Sequence, residues 1–380
     1  MFQCGGHPKR LTYDELEKIE VARDRVRLSA YDKGISLLGH WQGTILRCVV
    51  LAPDVWFSLA VYVVVKYCME AGILDPSEVP LSYLGIVGGF ISFLLVFFIG
   101  ECYSRYMNQF GRLAGCFGRI FDCAALAGAI LPKPRASRLL RYMNTAVIVG
   151  VSALSDVYDE ENFFIPLIKN HKLLTDKELD EILAIGVDTN GGVAFKHVIT
   201  WCMKVVAESK RAGEISDMEK NLFDTEVLRL RGTFGDLFDY QEVSVPFIYV
   251  NWVQIMNMMY CPLFAAAVAI SSNGLDAEEV GFLVVVLNNL FINGLYALAR
   301  IFQDPFGSDM EDLSVLGGVI GAIKASRNNI SQAELHEVTA AEEAELLVWG
   351  DSPKAVDDDG GKGDALSSPT KVAPEPVPEA

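Results

Sequence analysis

The sequence predicts an all-α, multi-span membrane protein with about four transmembrane helices and a large helical domain in water. Three observations carry this. The chain has 380 residues, of which 51% are hydrophobic, and its mean hydropathy is positive, which is too apolar for an ordinary soluble protein. Apolar stretches at about 48–71, 82–104, 246–271 and 279–300 each approach or exceed the roughly 20 residues a helix needs to cross the hydrocarbon core, and Leu81 to Gly100 carries no charge. Between about 105 and 245, apolar and charged residues alternate at helical spacing instead.

In chain order, residues 1–40 form a polar arm that turns helical near Tyr13 to Lys18 and reads as a docking element. The first transmembrane pair occupies 41–104, with the first span starting after Trp41-Gln42-Gly43 and the second at 82–104. Basic residues flank the spans asymmetrically. Arg23, Arg25, Arg27, Lys33 and Arg47 precede the first span, Arg105, Arg112 and Arg119 follow the second, and Arg300, Lys324 and Arg327 follow the fourth, whereas the loops at 69–80 and 271–280 are acidic and base-free. Because Lys and Arg are retained on the cytoplasmic side, both termini and the 105–245 segment are expected in the cytosol.

Within that segment, Leu139–Val157, Lys177–Leu183, Val193–Lys210 and Glu214–Leu237 read as helices. Cys116–Leu131 contains Arg119 and Asp122 and reads as a buried or interfacial helix, not a fifth span. The second transmembrane pair fills 246–300, and 301–350 holds an acidic loop and further cytosolic helices. Residues 351–380 are rich in Pro, Asp, Ser and Gly and are expected to be disordered.

The net charge of −17 excludes a nucleic-acid-binding protein, which needs a basic footprint. The eight cysteines show no CxxC pairing and read as small hydrophobes. Nucleotide-binding, zinc-protease and nucleophile-elbow motifs are missing and the five histidines lack ligand spacing, so no enzyme is expected.

Polar residues inside the spans are costly and therefore informative. Asn251, Asn257, Asn288, Asn289 and Asn293 are expected to hydrogen-bond between helices, Glu101 to pair with Arg105 one turn on, and Asp54 stands out behind Pro53. Gly89, Phe93 and Phe97 recur every four residues and share one helix face, which in an oligomer would line an apolar neck able to gate ions by dewetting. In a lone chain the same stripe would pack on helices or lipid. Behind the last span, Pro305 and Gly307 end the helix, and the loop presents Asp309 and Asp312. Two carboxylates with freed helix-end carbonyls suit a hard cation such as calcium; a plain solvated loop is the other reading.

Several motifs, in this order, resemble the bestrophin family of ion channels: Trp41-Gln42-Gly43-Thr44, Ile91-Ser92-Phe93, Arg105-Tyr106-Met107-Asn108-Gln109-Phe110, Leu140-Arg141-Tyr142-Met143-Asn144, Ser244-Val245-Pro246-Phe247 and Asp304-Pro305-Phe306-Gly307. The resemblance covers roughly residues 20–325. It implies a homopentamer in the membrane with four spans per subunit, passing chloride and often bicarbonate when cytosolic calcium binds. Carried over, the calcium clasp would use the carboxylates of Asp309 and Asp312, the carbonyls of Ile301 and Asp304, and one carbonyl of a neighbouring subunit's arm near Arg27. The neck would fall on Gly89, Phe93 and Phe97, and a cytosolic aperture on Met218. Gly89 stands where the family has a bulky apolar residue, and Ser308 and Met310 replace further acids. The resemblance places such a channel in a plasma membrane. The alternatives are a constitutive or voltage-influenced chloride or bicarbonate channel of an internal membrane, such as a thylakoid, and a non-conducting scaffold.

Overall fold

Helix α1 (Tyr13–Asp32) opens the chain as seen in the computed structural model, which describes residues 11–32, 44–74, 81–187, 192–272, 278–307 and 311–331. The expected motif Trp41-Gln42-Gly43, the tail at 351–380 and Asp309 lie outside the described residues. Thr12 and Glu15 begin α1 reciprocally: the Thr12 amide and hydroxyl donate to Glu15 Oε2, and the Glu15 amide donates back to Thr12 Oγ1. Among the described residues every regular element is helical.

α2 (Ile45–Leu51) and α3 (Pro53–Glu70) stand where one straight first span was expected, and they meet at a 60° bend. Pro53 is the cause. It occupies the first turn of α3, where a missing N–H costs nothing, and it drives Ala52 out of helical geometry to ψ 121°.

α4 (Leu81–Ile130) corrects a second expectation, because the span of 82–104 and the buried segment of Cys116–Leu131 are one unbroken helix of 50 residues. At 1.5 Å per residue it is about 75 Å long, more than twice the roughly 30 Å of a hydrocarbon core. No proline interrupts it before Pro132, and its buried positions Ile91, Leu95, Phe98, Cys102, Leu113, Cys116, Ile120, Cys123 and Ala127 keep to helical spacing through the change from apolar to charged surroundings.

The second group of helices comprises α5 (Lys133–Ser152), a π-helical turn at Glu160–Phe164, α6 (Ile165–His171), α7 (Asp176–Ile185), α8 (Val193–Arg211) and α9 (Asp217–Glu242). Capping boxes start α7 at Thr175 and Glu178 and α9 at Ser216 and Glu219. Their apolar faces share one core with the distal half of α4 and with α12 (Val315–Ser331). Glu226 of α9 takes Arg119 of α4 at 2.9 Å and Arg229 at 2.9 Å, which explains how Arg119 tolerates a largely apolar helix.

α10 (Phe247–Ser271) and α11 (Glu278–Gln303) complete the apolar bundle; with α4 they are long and apolar enough to cross a membrane, and bent α2–α3 is a fourth candidate. A polar ladder joins them through three of the five expected asparagines; Asn251 is instead exposed, and the buried Nδ2 of Asn288 has no hydrogen-bond partner. Asn257 Nδ2 donates to Asn293 Oδ1 at 2.9 Å, Asn293 to Asn289 Oδ1 at 3.2 Å, Asn289 to Ser58 Oγ at 3.0 Å, and Ser58 to the Cys261 carbonyl at 3.0 Å. Arg105 departs from its expected partner. Instead of Glu101 it donates to the carbonyls of Tyr240 and Val243 and lies over the Tyr240 ring, tying α4 to the end of α9.

Candidate functional site

Two features of α4 frame the candidate site. The first is a ridge of apolar side chains. Phe93 and Phe97 are 61% and 59% exposed and meet edge to face at 4.6 Å between ring centroids. Gly89, one turn earlier, has open space where a Cβ would stand. The adjacent Gly88 differs: its Cβ would lie 2.3 Å from the Tyr260 hydroxyl, because α4 and α10 touch there. The three ridge positions therefore share a face that the rest of the chain leaves uncovered, while the neighbouring face of the same helix is packed. Met218, in the first turn of α9, is 77% exposed.

The second feature is the loop behind α11, tied to α4 by Tyr106, whose hydroxyl donates to the Glu311 carbonyl at 2.7 Å and whose ring lies 5.3 Å from that of Phe302. Loop closure is local: the Asp304 amide donates to the Ile301 carbonyl at 3.4 Å, the Leu313 amide to the Pro305 carbonyl at 2.9 Å, and Ser155 Oγ to the Phe306 carbonyl at 2.7 Å. Gly307 is the pivot. A Cβ there would meet Asp312 Oδ2 at 2.9 Å and Asp304 Oδ2 at 3.0 Å, so both carboxylates converge on a position only glycine leaves open.

Asp312 is fully buried, and the cation beside it comes from α1. Arg23, 1% exposed, places Nη2 at 3.6 Å from Asp312 Oδ2 and donates to the Gly307 carbonyl at 3.1 Å, the Leu313 carbonyl at 3.3 Å and the Tyr158 hydroxyl at 3.4 Å. Leu16, Glu20 and Arg23 are buried along one face of α1, as their i, i+4, i+7 spacing dictates. Glu20 Oε1 accepts from the amides of Val315 and Leu316, and Oε2 from the Gly317 amide and Ser314 Oγ, all at 2.8 to 3.0 Å. It thus satisfies the first free N–H groups of α12 and meets the positive end of that helix dipole. Burial, reinforced by the charge of Glu20, holds the Tyr158 phenol well above its ordinary range, so it stays protonated and donates to Glu20 Oε1 at 3.4 Å.

Of the expected clasp, then, Asp312 converges with the Asp304 carboxylate at Gly307 and the Ile301 carbonyl accepts from the Asp304 amide, whereas Arg27 lies inside α1, where helix geometry sends its carbonyl to the amide of Tyr31. At Asp312, the clasp carboxylate among the described residues, a guanidinium that never deprotonates stands where a calcium ion would bind and competes with it. Among the described residues no three His, Cys, Asp or Glu side chains gather to hold a metal ion. Sequence reasoning missed Glu20 and Arg23, which lie about 290 positions from the groups they hold.

A family profile described as "Bestrophin, RFP-TM, chloride channel" matches residues 23–319. Bestrophin homolog 14 of Caenorhabditis elegans is 22% identical over 311 residues, covering 75% of this chain and 72% of the relative. Bestrophin-1 of Sus scrofa is 22% identical over 350 residues; the match spans 86% of this chain but 56% of that protein's length. A crystal structure of a bacterial bestrophin homolog from Klebsiella pneumoniae superposes with a TM-score of 0.63 at 18% identity, over 76% of this chain and 99% of the other.

Proposed function

The chain belongs to the bestrophin family, and from that premise we propose that it is an anion channel that assembles as a homopentamer and passes chloride and bicarbonate through a neck lined by Gly89, Phe93 and Phe97. The observation that carries this reading is the uncovered aromatic ridge on α4. Two large apolar rings that one protomer exposes, on a face distinct from the one packed against α10, suit a surface that five copies turn toward a common axis. The positive edges of the rings suit a passing anion. The exposed side chain of Met218 supports its use as a second, cytosolic constriction.

The test is chloride flux from purified protein in liposomes, with the oligomer measured by native mass spectrometry. Flux from a pentamer supports the channel, and no flux from folded pentamers favours the scaffold. Opening by calcium at Asp309, Asp312 and the carbonyls of Ile301, Asp304 and Arg27 is the finer reading carried over from the family. The pairing of Asp312 with Arg23 favours the other one, a channel that conducts without calcium. Its membrane address, plasma membrane or thylakoid, is a matter for localisation in cells.

A further inference from the structure

We propose that Arg23 is the built-in cation of the acidic loop, holding it closed in the role a bound metal would otherwise fill, so that conduction needs no calcium. The inference rests on the channel reading and specifies how its loop is regulated. Asp312 has no access to water, and a carboxylate so placed needs a cation or a full set of donors. The guanidinium supplies the charge, and its planar fork reaches the Gly307 and Leu313 carbonyls from the same loop as well as Asp312. These are two carbonyls and a carboxylate, the oxygen types a hard cation collects.

The arm that delivers Arg23 is itself anchored. Glu20, one turn earlier, is fixed on the start of α12 by four donors, and Tyr158 bridges the two side chains by accepting from Arg23 and donating to Glu20. Gly307 and the segment from Asp312 into α12 are thus held by one helix.

Chloride flux from wild-type liposomes should be equal within about twofold in chelator and at micromolar free calcium. Arg23→Gln should lose flux at least about tenfold in chelator and recover part of it when calcium is added, whereas Arg23→Lys, which keeps the charge, should stay indifferent to calcium. A wild-type flux that rises tenfold with calcium overturns the proposal, as does an Arg23→Gln channel that conducts like wild type in chelator. Radioactive calcium binding to the detergent-solubilised wild-type protein gives a second readout that needs no variant to fold and no channel to conduct. No saturable binding in the micromolar range is expected; saturable binding that Asp312→Asn abolishes would overturn the assignment. If no preparation shows flux, the channel reading falls while the binding measurement still judges Arg23.

Discussion

The ridge on α4 and the Arg23 latch below it solve opposite problems. At the latch, three charged side chains and a phenol are buried in water-free surroundings, and one chain supplies every partner described: Glu20 meets a helix end, Arg23 meets a carboxylate and two carbonyls. At the ridge, large apolar rings stand largely exposed on the surface and meet each other edge to face. The latch is completed within a protomer, whereas the ridge waits for something outside it. Stability should therefore be concentrated at the first and function at the second.

The largest effect is expected where that contrast is attacked at its charged end. Asp312→Ala removes a buried carboxylate from beside the Arg23 guanidinium and should cost about 3–5 kcal/mol, read as an early thermal unfolding transition in detergent. A wild-type melting curve would mean that the pair contributes nothing to the fold. Next comes the pair of adjacent glycines. Gly88→Ala pushes a methyl into the Tyr260 hydroxyl and should destabilise by about 1–3 kcal/mol, while Gly89→Ala, facing open space, should stay within about 0.5 kcal/mol of wild type. Equal losses at both would erase the distinction between the packed and the open face of α4.

Smaller still is the effect expected of Asn289→Ala, which removes one rung of the polar ladder and the Ser58 contact. About 0.6–1.7 kcal/mol is expected from such bonds in apolar bundles, measured by chemical denaturation in mixed micelles. The least effect on stability, under about 0.5 kcal/mol, is expected of Phe93→Ala combined with Phe97→Ala, whose consequence should appear instead as raised resting flux in liposomes. A double variant that melts early would show the rings to be packing residues.

Much of this was legible in the sequence because it depends on local pattern. Apolar length gave the spans, charged and apolar alternation gave the helices between them, and Asn257, Asn289 and Asn293 announced their hydrogen bonds. The 50-residue α4 was divided in two because the residues around its axis change from apolar to charged at Arg105, although nothing in its backbone chemistry breaks there. The bend at Ala52 did have a signal, Pro53, which lost weight inside a long apolar run. For the loop, Asp304, Pro305, Gly307 and Asp312 were evident as a cluster. Its cation was not, because a single arginine three residues beyond a glutamate looks like any solvated helix face until the distant loop is brought against it.

The unbroken course of α4 gives the molecule a lever arm. Tyr106 grips the loop at the Glu311 carbonyl, and Phe97 lies only nine residues away on the same rigid rod, about 13 Å along its axis. Over those 13 Å a tilt of about four degrees at Tyr106 displaces Phe97 by about 1 Å, comparable to the displacement that separates contact from a gap between facing side chains. Rotation of the half of α4 beyond Arg105 can thus be converted into a displacement of the ridge with no hinge in between, and stiffness, not flexibility, becomes the quantity that selection would have to preserve along this helix.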